Sequence, residues 1–141
     1  MNKILVPIDG SECSMHALQT AIAMAGLRQD TELHLLTVAF PIVSGHAKMF
    51  LDQKVVEDYY NDEGEKAQAG AKSVAEKSGV KFVTTIKVGQ SAQTITDFAR
   101  EQQCSQIVMG TRGLSALPGI LLGSVASKVI HLADVPVTLV K

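Results

Sequence analysis

Apolar residues fall along this chain in two alternating rhythms, short continuous runs and longer stretches at helical spacing. Ile4-Leu-Val6 is a buried-strand run closed by Pro7. Asp9-Gly10-Ser11 then supplies turn and cap chemistry before Ala17, Leu18, Ala21, Ile22 and Ala25 recur at the spacing of one helix face. Gly26 stands near the end of that helix, and residues 31–38, carrying Leu33, Leu35, Leu36 and Val38, predict a second strand. An irregular stretch from Ala39 to Asp52, with Pro41 and Gly45, gives way to a polar helix reaching about Lys77 through Val55, Tyr59, Ala67, Ala71 and Val74. Gly64 and Gly70 are expected to weaken it locally and Gly79 to close it.

Phe82, Thr84, Ile86 and Val88 then alternate with Val83, Thr85 and Lys87, a half-buried pattern that predicts a peripheral strand. Ser91 is placed as the cap of a helix carrying Ile95, Phe98 and Ala99, and Gln106-Ile-Val-Met109 as a short buried strand. Val125, Val129 and Leu132 mark one face of a last helix, with Ser124 as its cap, and Val135-Pro-Val-Thr-Leu-Val140 reads as the last strand. Strand and helix thus alternate from end to end. Right-handed crossovers of this length lead to a parallel sheet with helices on both faces, in one domain of 141 residues.

Composition narrows the partners. With 46% apolar and 19% charged residues and a net charge of -1, the chain is an ordinary globular sequence without the basic footprint that nucleic acid or anionic lipid demands. The apolar run after Met1 is too short for a signal peptide and none is long enough to cross a bilayer, so a cytoplasmic location with no membrane partner is expected. Cys13 and Cys104 stand far apart and read as two reduced thiols, Cys13 in the first turn of a helix but without a neighbouring His to make it a nucleophile. His16, His34, His46 and His131 show no metal-ligand spacing and no Cys or carboxylate arranged with them, so they read as surface or satisfied positions. The charges between Gln53 and Lys77 read as a solvated helix face. Neither a catalytic residue nor a metal site is assigned.

The segment from Gly110 to Ser124 carries the strongest chemical signal. Gly110 and Gly113 flank a turn after a strand, and Gly123 precedes a helix, so backbone N–H groups and a helix N-terminus can converge on one polyphosphate. The spacing is neither GxxxxGK[ST] nor GxGxxG. Ligands of open parallel sheets sit at strand carboxyl ends, and two loops compete for that place: Pro7 to Ser11 and Gly110 to Ser124. Asp9 suits the base end of a nucleotide, because a carboxylate near the phosphates would repel them, and Ser11 is placed as a helix cap.

The opening Ile4-Leu-Val-Pro-Ile-Asp-Gly-Ser11, the pattern G-x2-G-x9-G-[S/T] formed by Gly110, Gly113, Gly123 and Ser124, and the closing Val135-Pro-Val-Thr-Leu-Val140 together resemble the universal stress protein family, in its ATP-binding subgroup. The resemblance spans the whole chain. It implies a five-stranded doubly wound sheet of the adenine-nucleotide alpha-hydrolase type, strand order 3-2-1-4-5. It also implies that Asp9 and the backbone of Val38 face the adenine and that Pro7 shapes the base pocket. Met109, Gly110, Arg112, Gly113 and Ser115 would line ribose and phosphates, and Gly123, Ser124 and Val125 would complete the phosphate end. The ligand implied is ATP, or AMP or ADP, with Mg²⁺ alongside ATP. The partner implied is a second copy of the chain, joined through the strand from Val135 to Val140, in a nucleotide-dependent stress-response regulator with slow or no hydrolysis. The alternative is a nucleotide-independent dimeric interaction module of the same fold. An adenylylating enzyme would want an HxGH-like or SGGxDS signature, which the sequence lacks.

Overall fold

The computed structural model describes residues 1–41, 52–114 and 117–141. Strands β1 (Asn2–Pro7), β2 (Thr31–Ala39), β3 (Lys81–Val88), β4 (Gln106–Gly110) and β5 (Val137–Val140) alternate with helices α1 (Glu12–Gly26), α2 (Gln53–Ser78), α3 (Ser91–Glu101) and α4 (Ser124–Leu132). The strands form one parallel sheet in the order β3-β2-β1-β4-β5. β1 lies at its centre, with Ile4 beside both Leu33 and Gln106.

Strand alternation divides the core in two. Ile4, Val6, Leu33, Leu35 and Val108 pack under α1 and α2, against Ala17, Leu18, Ala21, Ala71 and Ala75. Leu5, Leu36, Ile107 and Met109 point to the other face, where Ile95, Phe98 and Ala99 of α3 and Ala126 and Val129 of α4 cover them. The two helix layers follow from the period-two pattern of strands buried on both faces. β3 lies at a sheet edge, as its half-buried alternation predicts.

Gly64 and Gly70 do not interrupt α2. A Cβ at Gly64 would stand 2.7 Å from the Ile86 side chain, so the glycine lets α2 lie close on β3. The face of α2 toward the sheet also buries Gln68, whose amide donates to the carbonyls of Leu35 at 3.3 Å and Thr85 at 2.9 Å.

Three boundaries differ from the sequence pattern. Ser11 caps α1 as expected, accepting from the Ser14 N–H. Ser91 and Ser124, however, are the first helical residues, and the extended cap positions are Gln90 and Gly123, neither with a side-chain cap bond. The reason is visible at Gly123, whose N–H donates to the Thr111 carbonyl at 2.7 Å and so holds the extended turn one residue earlier. The last strand begins at Val137 rather than Val135, since Pro136 brings no N–H to the ladder, although its carbonyl accepts from Ile107 at 2.9 Å.

Among the histidines, His16 is exposed and its Nδ1 lies 2.8 Å from the Lys141 carbonyl oxygen, and His131 is exposed. His34 departs from expectation. It is buried against Phe98, its Nε2 donates to Glu32 Oε1 at 2.8 Å, and its Nδ1 has no partner. The signal was the Glu-Leu-His alternation, which places Glu32 and His34 on one face of β2. His46 lies outside the described residues, as does most of the irregular stretch before α2.

Candidate functional site

Parallel strands bring every βα turn to the same end of the sheet, so the two glycine-bearing loops after β1 and β4 share one cavity instead of competing for the ligand. The cavity measures about 780 Å³. Pro7, Ile8 and Asp9 form one wall, Leu36, Val38 and Phe40 the next, and Met109 to Leu114 a third. Leu117, Ile120, Leu122 and Gly123 to Ala126 close the circuit, with Ser14, Ser91 and Ile95 from α1 and α3.

Of the residues singled out from sequence, Pro7, Asp9, Val38, Met109, Gly110, Arg112, Gly113, Gly123, Ser124 and Val125 all border this space. Ser115 lies outside the described residues. Sequence reasoning did not single out Phe40, Ser91 and Ile95 for the site. The signal for Ser91 was present, because a helix start in a parallel α/β sheet sits at the carboxyl end of the strands. Phe40 follows directly on β2 at that same end.

The glycines work mainly by letting loops meet. A Cβ at Gly110 would stand 2.6 Å from the Cys13 Cβ and 2.9 Å from its carbonyl carbon, so Gly110 permits the end of β4 to press on the first turn of α1. At Gly113 a Cβ would come within 2.7 Å of Asp9 Oδ2, which leaves room for the carboxylate between the two loops. At Gly123 it would meet the Thr111 carbonyl oxygen at 3.3 Å and the Arg112 Cα at 3.5 Å, where the loop returns on itself. Gly110 therefore serves helix packing rather than anion approach, and the motif spacing reflects three separate close contacts.

Asp9 is fixed by its own turn: the Ser11 N–H donates to Oδ1 at 2.9 Å and the Ser11 hydroxyl donates to the same oxygen. That leaves Oδ2 facing Gly113 at the cavity. Arg112 is exposed and makes no ion pair with the described residues, so the cavity holds one fixed anion and one uncommitted cation. α4 opens onto the cavity with no side chain on its first N–H groups, which leaves those donors and the positive end of the helix dipole for a ligand. The cavity thus extends from Pro7 and Val38 at the ends of β1 and β2 to Gly123 and Ser124 at the start of α4. Among the described residues no group of three His, Cys, Asp or Glu side chains could hold a metal ion.

Cys13 and Cys104 are both free thiols. Burial raises the Cys104 thiol to about 11, offset in part by the charge of Lys3. No helix among the described residues is long and apolar enough to cross a membrane.

Comparison with known proteins agrees with this architecture. The chain is 38% identical over 141 residues to universal stress protein MJ0531 of Methanocaldococcus jannaschii, covering 99% of this chain and 81% of that protein. It is 35% identical over 147 residues to universal stress protein YxiE of Bacillus subtilis, covering 99% of each. The solved structure of M. jannaschii MJ0577 superposes with a TM-score of 0.85 at 31% identity over 99% of this chain and 95% of that one. Two other similar structures, each 25% identical, are a universal stress protein in complex with cAMP, at a TM-score of 0.75, and the universal stress protein from Archaeoglobus fulgidus in complex with dAMP, at 0.70. Each covers 99% or more of this chain and 97% or more of its own. The model of the universal stress protein family matches residues 1–141, and the chain belongs to that family.

Proposed function

We propose that the cavity binds an adenine nucleotide and that the chain is a nucleotide-dependent regulator of the stress response. One observation carries the reading: the loop from Gly110 to Gly113 and the open N-terminus of α4 are tied together by the Gly123-to-Thr111 hydrogen bond of 2.7 Å, on the same cavity as Pro7, Asp9 and Val38. The dAMP and cAMP complexes of similar proteins support the ligand class.

In this reading the base sits by Pro7 and the backbone of Val38, Met109 lines the ribose, and Asp9 Oδ2 accepts from the exocyclic amine. The phosphates lie against the N–H groups from Gly113 and Gly123 to Val125, with Ser124 donating its hydroxyl and Arg112 supplying charge. Ser115 joins the ribose and phosphate contacts. The ligand is ATP, or AMP or ADP. Mg²⁺ arrives with the triphosphate and takes most of its ligands from phosphate oxygens and water. The sequence offers no clear base for in-line attack by water, and on this reading hydrolysis is slow or absent. The working unit is a homodimer joined through the strand ending at Val140, which covers an otherwise open apolar sheet edge in the cytoplasm.

Calorimetric titration of ATP and of AMP into nucleotide-stripped protein, with and without Mg²⁺, tests this directly. Saturable binding near one nucleotide per chain is expected. Absence of heat with both would move the search to the nucleotide-independent interaction module.

A further inference from the structure

The segment between the two glycine clusters is richer in large apolar side chains than a phosphate cradle needs. Leu114, Leu117, Ile120 and Leu122 all border the cavity, joined by Val125 at the start of α4 and by Phe40 across the mouth. All six are exposed, Leu114 by 73% and Leu117 by 64%. Large apolar side chains gathered on a soluble surface mark a place where something binds.

Their position says which part of a ligand they meet. Leu114 follows Gly113 and Leu122 precedes Gly123, so these side chains adjoin in sequence the glycines that the nucleotide reading sets against the phosphates. The Gly123-to-Thr111 hydrogen bond, 2.7 Å, ties the end of this segment to the loop after β4, and the Ile120-to-Leu117 bond, 3.3 Å, lies within the segment. A bare phosphate would leave it in water. The cavity, about 780 Å³, also lies in the upper part of the range of about 300–1,000 Å³ for small-molecule sites.

Building on the nucleotide reading above, we infer that the site takes adenylates whose phosphate carries an aliphatic acyl or alkyl group. The adenosine and phosphate occupy the polar floor, and the chain runs outward along Leu114, Leu117, Ile120 and Leu122. The six side chains share one cavity with Pro7, Asp9 and Val38, so a single ligand that joins an adenylate to an aliphatic chain meets both sets.

Octanoyl-sulfamoyl adenosine, a stable stand-in for an acyl adenylate, is compared with its acetyl counterpart by calorimetry, with AMP and free octanoate as controls. A buried methylene is worth about fourfold in affinity, so partial burial of the longer chain predicts at least tenfold tighter binding, one ligand per chain, with free octanoate far weaker. Leu117→Ser and Leu122→Ser, at exposed positions, should each remove at least threefold of that gain, read as the ratio of octanoyl to acetyl analogue affinity within the same variant. Equal affinity of the two analogues, or a gain untouched by both substitutions, overturns the inference while AMP binding stands. A change of oligomeric state in Leu117→Ser without any acyl preference also overturns it and assigns the wall to a second copy. Failure of AMP and both analogues to bind overturns the nucleotide reading itself and this inference with it.

Discussion

Gly110 and Gly113 carry opposite expectations despite sharing one motif. At Gly110 an added methyl group meets the Cβ and backbone of Cys13, which cannot move without shifting α1. Gly110→Ala should therefore cost about 1–3 kcal/mol of stability in urea unfolding, and Cys13→Ala should not rescue it, because the Cβ remains. At Gly113 the obstacle is the tip of the Asp9 side chain, which can rotate away. Gly113→Ala should leave the unfolding midpoint nearly unchanged and weaken AMP binding about tenfold. In an Asp9→Ala background the same substitution should have little further effect, and additive losses in that double-mutant cycle would show that the two residues do not interact. The glycine spacing was legible in the sequence, but its partners were not. Asp9 and Cys13 lie some hundred residues upstream, and no local pattern says which loop a glycine must admit.

Among the elements, α2 shows how a locally unfavourable residue becomes favourable in tertiary context. Glycine inside a helix costs about 1 kcal/mol relative to alanine, yet the helix lies on Ile86 at a distance that excludes a Cβ. Gly64→Ala should gain helix propensity and still lower the thermal midpoint, and a paired Ile86→Ala should recover part of the loss. Strand and helix periods revealed all nine elements among the described residues, since each buries a face in the core. The helix starts were displaced by one residue at Ser91 and Ser124, where a side-chain cap was expected and loop hydrogen bonding decided the position. The Glu32–His34 pair escaped notice because a pair two residues apart is visible only once the segment is known to be a strand.

For the whole molecule, Cys104 links stability to alkaline pH. Its thiol lies near the base of β4 with a folded value of about 11, above the ordinary value of 9.0, so the folded chain holds a proton that the unfolded chain releases first. Its contribution is complete below pH 9 and fades as pH rises through 11, by an amount on the order of 1 kcal/mol. Urea unfolding at pH 8 and pH 10.5 should show a larger loss for the natural chain than for Cys104→Ala, and parallel losses would contradict the assignment. The proposed dimer through β5 makes a further expectation. The Pro136 and Val140 carbonyls face β4, so the backbone groups of Val137 and Leu139 face outward, and Val137→Pro should yield a monomer in sedimentation velocity. The sheet order also sets a timetable for synthesis. β1 leaves the ribosome before the other four strands and waits for β4, roughly a hundred residues later, before its second edge is covered, and the two loops that frame the cavity meet only at that moment. A nascent chain arrested before Gln106 thus displays an open central strand to chaperones, and one that ends before Met109 lacks a whole wall of the cavity.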